Sequence, residues 1–341
     1  MNPGSGYEES LESTASRIRR MFPENIGELF EQHSGVSPGA VNQIVPLRNA
    51  ALGAVDGSNT AILESGSLTI SGVRAGAVLF RDGETERRRT PLFLVFSGGS
   101  DSAGDFSRMY AECFGNEPIK SLEGDDVNLV ASLTRDTLEY WVALQILDPL
   151  GQGDLLVLDG ALRVSHESHN PVLAGLLGQA CRKGVVPAAV AKRTAATFAG
   201  GYPLLPAVSS YTGVAGIPSP WWMKVDEGIL DQTRFSQWQH GEVYIASLHP
   251  YHPVPLKVEL PRGLSAREAG QAMAILAGCA DDGRIPGYPY PLLDAHRTVV
   301  ISEAVAGQIR QDILAALSRQ RFDSSNYAVM FGDYHDEFRR Y

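Results

Sequence analysis

Two carboxylates that end apolar segments are the residues best suited to chemistry in this sequence. Asp56 follows the apolar run 51–55, Asp159 follows the run 155–158, and each is followed by glycine. A carboxylate at a strand end in an α/β fold faces the crevice where ligands bind. Two such carboxylates repel each other unless a cation lies between them, and Mg²⁺ and Mn²⁺ prefer oxygen ligands. The pair predicts a divalent-metal site, whereas either Asp-Gly alone is typical of an ordinary turn.

Glu139 is a third candidate ligand and lies on a predicted helix over 125–147. An Asp on a first strand, a Glu on a helix and an Asp ending a later strand occur in this order in ribonuclease H-like nucleases. In those enzymes the carboxylates hold two metal ions, which activate water and stabilise the leaving oxygen. The alternative is a surface salt bridge, because Arg135 lies four residues before Glu139.

The segment GYPYPLLDAHR at 287–297 places a Pro-rich turn, two tyrosines, a carboxylate, a histidine and an arginine within eleven residues. His296 could bind a metal ion or transfer a proton near neutral pH. Arg297 could bind a phosphate group. A single histidine is more often structural, but this concentration of functional groups favours a role in a site.

The elements that must position these residues alternate between strands and helices after an initial β-rich region. Apolar periodicity and capping residues predict helices over 8–33 with an interruption at Pro23, over 125–147, 170–182 and 265–279, and after Ser302. Apolar runs between turn residues predict strands over 51–55, 67–71, 76–80, 91–96, 154–158, 185–191, 242–248, 254–260 and 298–301. Residues 200–240 are predicted to be irregular. The alternation predicts a mixed α/β sheet with helices packed on its faces.

Composition limits the classes of protein to consider. The chain has 341 residues, 44% of them hydrophobic and 20% charged, which excludes a coiled coil, a collagen-like chain and a mostly disordered regulator. It has no apolar run of the roughly 18–20 residues that span a bilayer, no secretory signal and no CxxC pair, so we expect a cytoplasmic protein without a membrane segment. The net charge of −10 is unlike that of proteins that coat DNA. Any nucleic-acid contact should therefore be local, through basic clusters at 17–20 and 87–89, each of which is otherwise a solvated surface.

Six segments of the sequence together resemble the NurA family of DNA-repair nucleases. They occur in the family's order and span roughly residues 50–300. The segments are VDGS at 55–58, LE at 138–139, LVLDGAL at 156–162, AKRT at 191–194, VYIASLH at 243–249 and GYPYPLLDAHR at 287–297. The resemblance implies an α/β fold with a ribonuclease H-like mixed sheet flanked by helices and with N- and C-terminal helical extensions. We accordingly predict an N-terminal extension at 1–45, a nuclease domain at 46–318 and a C-terminal tail at 319–341.

The same resemblance implies a manganese-dependent DNA nuclease, with Mg²⁺ as the alternative metal. Family members combine single-strand endonuclease with 5′→3′ exonuclease activity, form homodimers and act with the hexameric ATPase HerA in DNA end resection and double-strand break repair. Single- and double-stranded DNA, a HerA-type ATPase and a second copy of the chain are therefore the expected partners. By position, the family's metal-binding carboxylates correspond to Asp56, Glu139 and Asp159. Its late tyrosine and histidine correspond to Tyr288 or Tyr290 and to His296, and Lys192 falls at the position of a lysine suited to contact phosphate.

Three other interpretations stay open. The segment SGGSDS at 97–102 follows an apolar run and matches the loop with which ATP pyrophosphatases bind pyrophosphate, so it predicts an adenylating enzyme. The pairs His166 with His169 and His249 with His252 would make a zinc site if the fold joined them, although neither pair has a nearby cysteine. The chain could also be a non-catalytic scaffold that contacts an ATPase and guides DNA.

Overall fold

The computed structural model describes residues 6–98, 104–122, 127–231, 238–252, 254–322, 327 and 330–331. Its helices are α1 (Tyr7–Met21), α2 (Ile26–Ser34), α3 (Gly104–Phe114), α4 (Val127–Ile146), α5 (Asn170–Lys183), α6 (Leu204–Val214), α7 (Ala266–Gly278), α8 (Tyr290–Val299) and α9 (Glu303–Arg319). Its strands are β1 (Asn42–Gln43), β2 (Leu52–Glu64), β3 (Leu68–Arg81), β4 (Glu84–Arg89), β5 (Phe93–Gly98), β6 (Leu155–Asp159), β7 (Val186–Ala191), β8 (Thr197–Phe198), β9 (Tyr202–Pro203), β10 (Trp221–Lys224), β11 (Gly241–Ser247) and β12 (Leu256–Pro261).

One large mixed sheet lies at the centre of the described part of the chain. Its strand order is β1-β10-β11-β12-β7-β6-β2-β3-β4, and β5 also pairs with β3. Strand β6 lies between β2 and β7 and runs parallel to both. The remaining pairings in this sheet are antiparallel. The predicted mixed α/β sheet flanked by helices is confirmed.

Each face of the sheet packs against its own apolar core. Helices α3, α4 and α5 cover one face, and helices α7 and α8 cover the other. Successive residues of a strand point to opposite faces. Along β2, Val55 and Gly57 therefore point toward α4, while Ala54 and Asp56 point toward α8. This alternation places the Asp56 carboxylate within reach of the helix that carries His296.

Capping residues set several of the helix boundaries. The Ser265 hydroxyl accepts a hydrogen bond from the Glu268 N–H, and the Glu268 carboxylate accepts one from the Ser265 N–H, so the predicted capping box of α7 is confirmed. The Ser302 hydroxyl likewise accepts from the Val305 N–H at the start of α9. The predicted helix over 8–33 is two helices, α1 and α2, separated around Pro23, where the missing N–H and the fixed φ of proline interrupt a helix.

The strands of the β-rich region are longer than predicted. The segments expected at 67–71 and 76–80 form one strand, β3, because its pairing with β2 runs from Thr69 to Phe80 with a single irregularity. The same pairing extends β2 to Glu64, so Asp56 lies inside a strand and not at its end as predicted. The sequence Asp56-Gly57 is therefore not a turn. By contrast, Gly160 after Asp159 has a φ of +116°, which is the sharp turn expected there.

Two segments differ in type from the prediction. The strand expected at 298–301 is wrong, because Thr298 and Val299 form the last turn of α8, whose packing on the sheet overrides the β preference of branched residues. The region 200–240, expected to be irregular, contains α6 and β10. The prolines of this region favour a loop in the sequence. In the structure Pro203 is the N-cap residue of α6 and Pro206 lies in its first turn, where proline is tolerated.

Residues 26–43, within the predicted N-terminal extension, pack against later parts of the fold. Strand β1 pairs with β10 at an edge of the sheet, and α2 packs closely on α6. A Cβ atom on Gly27 would lie only 2.7 Å from the Tyr211 nitrogen. The proposed division at residues 45 and 318 stays a prediction. None of the helices in the described residues has the length and apolarity needed to cross a membrane.

Candidate metal centre

The central parallel strands bring the two predicted aspartates side by side. Val55 of β2 is opposite Leu158 of β6, and the pairing of these two strands ends there, directly before Asp56 and Asp159. Helix α8 adds His296 from the Asp56 face of the sheet. One ligand atom from each of these three side chains lies within 4.8 Å of the other two. In the part of the chain that the structure describes, this is the one group of three or more His, Cys, Asp or Glu side chains with metal-binding spacing.

Asp56 is the buried member of this cluster. Its side chain is 9% exposed, and its Oδ2 atom lies 2.8 Å from Nδ1 of His296. Its Oδ1 atom accepts a 2.8 Å hydrogen bond from the Gly57 N–H. Burial, followed by the negative charge of Asp159, raises the pKa of Asp56. A bound cation would offset both effects, so this donor set of two carboxylates and an imidazole fits a divalent metal ion.

Tyr288 and Lys192 lie beside Asp159 at this cluster. The Lys192 ammonium lies 3.5 Å from an Asp159 oxygen and 4.5 Å from the centre of the Tyr288 ring. The Tyr288 side chain is buried, and its hydroxyl faces the Asp159 carboxylate. Burial and then the charges of Asp159 and Asp56 raise the pKa of Tyr288, so the phenol stays protonated near neutral pH. It is therefore available as a donor to a group that enters the cluster.

The structure also separates the two tyrosines that the sequence left as alternatives. The Tyr290 ring lies 6.5 Å from Phe80 and 5.0 Å from the guanidinium of Arg284, centre to centre. Tyr288, and not Tyr290, thus borders the aspartates. Arg297 is exposed, and its charge contributes to lowering the pKa of Asp282.

Glu139 lies next to the cluster but on the α4 side of β2. Its Oε1 atom lies 3.2 Å from Nε of Arg135, and this ion pair is partly buried, unlike the surface pair considered above. Burial raises the pKa of Glu139 well above its ordinary value, although the Arg135 charge opposes this effect. Arg135 also donates hydrogen bonds to Asp136 and to Asn59 of β2. The Glu139 carboxylate reaches the backbone of Gly57, directly after the ligand Asp56, so it borders the metal-binding group without belonging to it.

Two arginines hold α8 against the sheet. Arg87 of β4 lies 2.8 Å from the buried carboxylate of Asp294, two residues before His296. Arg74 of β3 donates hydrogen bonds to the backbone oxygens of Val299 and Val300 at the end of α8. Part of the basic cluster at 87–89, considered above for DNA contact, therefore positions the helix that carries His296.

A buried ion pair next to Asp159 was not identified from the sequence. Lys257 and Glu259 lie on β12, with side chains 13% and 3% exposed, and the Lys257 ammonium contacts the Glu259 carboxylate. The other Glu259 oxygen accepts a 2.8 Å hydrogen bond from the Leu162 N–H in the segment after Asp159. The alternation of charged and apolar residues in KVEL looks like an ordinary edge strand. Only the pairing of β12 with β7 places these charges beside the site.

Replacing Lys257 by Met should destabilise the protein by about 3 kcal/mol, because it leaves the Glu259 carboxylate buried without its cation. Urea unfolding of the variant would measure this loss. In the double variant K257M/E259Q the isolated charge is gone, while Gln keeps an acceptor for the Leu162 N–H. We therefore expect the double variant to be more stable than K257M alone. If the losses of stability in K257M and E259Q simply added in the double variant, the two side chains would not form a buried pair.

The histidine pairs occupy different settings. His169 is fully buried among aromatic rings, and its Nε2 atom lies 2.8 Å from the Thr137 hydroxyl of α4. His249 and His252 face each other across the turn between β11 and β12. Neither pair belongs to a metal-binding group within the described residues. Of the SGGSDS segment, Ser97 and Gly98 end β5, while residues 99–102 lie outside the described residues.

Burial lowers the pKa of His169 to about 4, which predicts acid sensitivity of the fold. The unfolded chain takes up this proton as the pH falls below about 6.5, whereas the folded chain resists it until about pH 4. Stability should therefore be about 2 kcal/mol lower at pH 5 than at pH 7 through this residue. Urea unfolding at both pH values should show a smaller difference for His169→Gln, which keeps a donor to Thr137 but does not titrate. If the parent and His169→Gln lost the same stability between pH 7 and pH 5, His169 would not contribute to the acid sensitivity.

Comparison with known proteins identifies the fold. No family model and no curated protein match the sequence. The NurA nuclease from Sulfolobus solfataricus superposes with a TM-score of 0.59 at 13% identity, over 91% of this chain and 98% of that chain. A second NurA structure gives 0.56 at 9% identity, over 91% and 97%. NurA bound to dAMP and manganese gives 0.52 at 9% identity, over 87% and 95%. The mixed α/β fold expected from the sequence is therefore confirmed, and this chain has the fold of the NurA nuclease structures.

Proposed function

We propose that this protein is a metal-dependent nuclease that acts on DNA. The observation that carries the proposal is the convergence of Asp56, Asp159 and His296 within 4.8 Å from three separate parts of the chain. A NurA structure of the same fold contains manganese and dAMP. That structure supports both the class of metal and the class of ligand proposed for this chain.

The residues of the cluster have distinct proposed roles. Asp56 and Asp159 hold the metal, which supplies a nucleophilic water and stabilises charge on the scissile phosphate. His296, whose Nδ1 atom lies 2.8 Å from Asp56, completes the metal site or transfers a proton. Lys192 and the protonated Tyr288 stand beside Asp159 and bind phosphate oxygens. Glu139, which lies outside this group on the α4 side of β2, is the third carboxylate proposed for the metal site.

The finer activities also belong to this proposal. We infer that Mn²⁺ is the working metal, that the enzyme combines single-strand endonuclease with 5′→3′ exonuclease activity, and that it acts in end resection with a HerA-type ATPase. The acidic net charge supports action with an ATPase. The electrostatic field of the whole chain does not attract DNA, so a partner whose channel attracts DNA would bring the substrate to the site.

Helix α1 offers a surface for such contacts in a homodimer or with the ATPase. None of its residues is buried, and a stripe of its apolar side chains is exposed: Tyr7, Leu11, Ile18 and Met21. Large exposed apolar patches often mark protein–protein contacts.

A crystal soaked in Mn²⁺ and a cleavage assay together test the proposal. We expect an anomalous peak among Asp56, Asp159 and His296, and cleavage of single-stranded DNA in Mn²⁺ that EDTA abolishes. A peak elsewhere would overturn the site. A correctly folded chain that cleaves no DNA, with or without the ATPase, would instead indicate the non-catalytic scaffold.

A further inference from the structure

The connection between β11 and β12 projects from the same edge of the sheet as the metal centre. Ala246 of β11 is opposite Leu256 of β12, and Lys257 is opposite Ala191, the residue before Lys192. The described connecting residues, 248–252 and 254–255, therefore lie beyond the strand ends that carry Asp159 and Lys192. Strand β12 is two strand spacings from β6, or about 10 Å.

This connection packs against the segment that delivers Tyr288. Gly287 has a φ of +84°, and a Cβ atom there would lie 2.8 Å from Cδ2 of His252. The turn is closed by a hydrogen bond from the His252 N–H to the His249 oxygen. The connection is thus fixed on the rim of the metal centre rather than directed away from it.

Tyr251 lies at the tip of this connection and is 90% exposed. Its N–H donates to Nδ1 of His249, and the two rings pack edge to face, 5.8 Å between centres. The aromatic ring is therefore held in place while its surface faces solvent. Exposed aromatic rings beside a groove that binds the backbone are the platforms on which proteins stack unpaired bases.

We propose that Tyr251 stacks on an unpaired base of the DNA strand held in the metal centre, close to the scissile phosphate. The proposal rests on the nuclease function proposed above and adds a determinant of substrate choice. Bases in a duplex already stack on their neighbours, so this contact is made with single strands or frayed ends. Tyr251 is a substrate-binding residue and takes no part in the chemistry.

Binding to single-stranded DNA tests the contact independently of cleavage. The probe is a 12-nucleotide strand with 2-aminopurine at each position in turn, titrated with the full chain in Ca²⁺ so that it is not cut. We expect Tyr251→Ala and Tyr251→Leu to weaken binding by about 5- to 150-fold, the range for loss of one stacked base. Tyr251→Phe should bind like the parent and keep the quenching of 2-aminopurine at one position. Phe96→Ala, which removes an aromatic ring that is 41% exposed on β5, is the control and should change neither readout.

Metal binding and cleavage then separate base stacking from damage to the metal centre. Mn²⁺ should raise the thermal midpoint of Tyr251→Ala as much as that of the parent, because Tyr251 is not among the metal-binding residues. On the oligonucleotide the KM of this variant should rise. Parental affinity in Tyr251→Leu, or a loss shared by Tyr251→Phe, would overturn the stacking role. A parent chain that binds Mn²⁺ but does not cleave the oligonucleotide would overturn the nuclease function, while the binding series still decides the role of Tyr251.

Discussion

Replacing Asp56 or Asp159 by Asn should reduce Mn²⁺-dependent DNA cleavage by about a thousandfold or more. Each change removes a negatively charged ligand from the centre, and metal catalysis of phosphodiester cleavage supplies several kcal/mol of barrier reduction. The same variants should lose the stabilisation that Mn²⁺ gives to the parent, about 2.7 kcal/mol at a metal concentration one hundred times its Kd. Thermal unfolding with and without Mn²⁺ would measure this second effect without any reference to activity.

The metal-free Asp56→Asn variant should be as stable as the parent or more stable. The raised pKa of Asp56 shows that the fold disfavours its charge, first through burial and then through Asp159, and Asn removes that charge. This combination of lost activity with retained stability is typical of a residue kept for function. A large loss of stability in metal-free Asp56→Asn would instead make Asp56 a structural residue.

Asp154, at the opposite end of β6, gives a matched control. Its two carboxylate oxygens accept 2.9 Å hydrogen bonds from the N–H groups of Ala51 and Gly151. Asp154→Asn keeps only one of these acceptors and should cost about 1 kcal/mol of stability. It should leave the response to Mn²⁺ and the cleavage rate unchanged. Activity lost equally in Asp154→Asn and Asp159→Asn would argue against a specific metal site at Asp159.

The sequence predicts the parts of the site that local pattern controls. The apolar run 155–158 is a strand buried on both faces, and such a strand has to end beside its parallel neighbour, which is why Asp159 lies at the edge of the sheet. Gly160 marks the turn, because its φ of +116° suits no other residue type well. The capping residues of α7 and α9 are equally local signals.

The remaining parts depend on long-range packing that a single sequence does not encode in any short pattern. His296 meets Asp56 across 240 residues, and its helix was partly predicted as a strand because its last turn is β-branched. Arg135 looks like a simple i,i+4 partner of Glu139, yet its guanidinium also joins α4 to Asn59 of β2. For this reason Arg135→Ala should disturb the site.

Gly57→Ala should lower the cleavage rate about a hundredfold by displacing Glu139. Gly57 points toward α4, where an added Cβ would lie 2.7 Å from Cγ of Arg135 and 2.8 Å from Cγ of Glu139. Both distances are too short for carbon atoms, so the Glu139 carboxylate has to move away from β2. A displacement of about 1 Å in a catalytic group costs about a hundredfold in rate. The overpacking should also cost about 1–3 kcal/mol of stability, which urea unfolding would measure.

Gly53 of the same strand distinguishes displacement of Glu139 from overpacking alone. Four residues earlier on the same face, about 13 Å along the strand, an added Cβ would lie 3.0 Å from Leu150 and 3.3 Å from Ile146, two buried apolar side chains. Gly53→Ala should therefore lose stability but keep its cleavage rate.

A double-mutant cycle then links the effect of Gly57 to the Glu139 carboxylate itself. Glu139→Gln should be nearly inactive, and adding Gly57→Ala to it should reduce the rate no further, because the group that the methyl displaces is already disabled. If Glu139→Gln kept parental activity, Glu139 would serve only as the partner of Arg135, and two carboxylates with His296 would have to hold the metal. Full additivity of the two changes would mean that the Gly57 methyl acts on Asp56 rather than through Glu139.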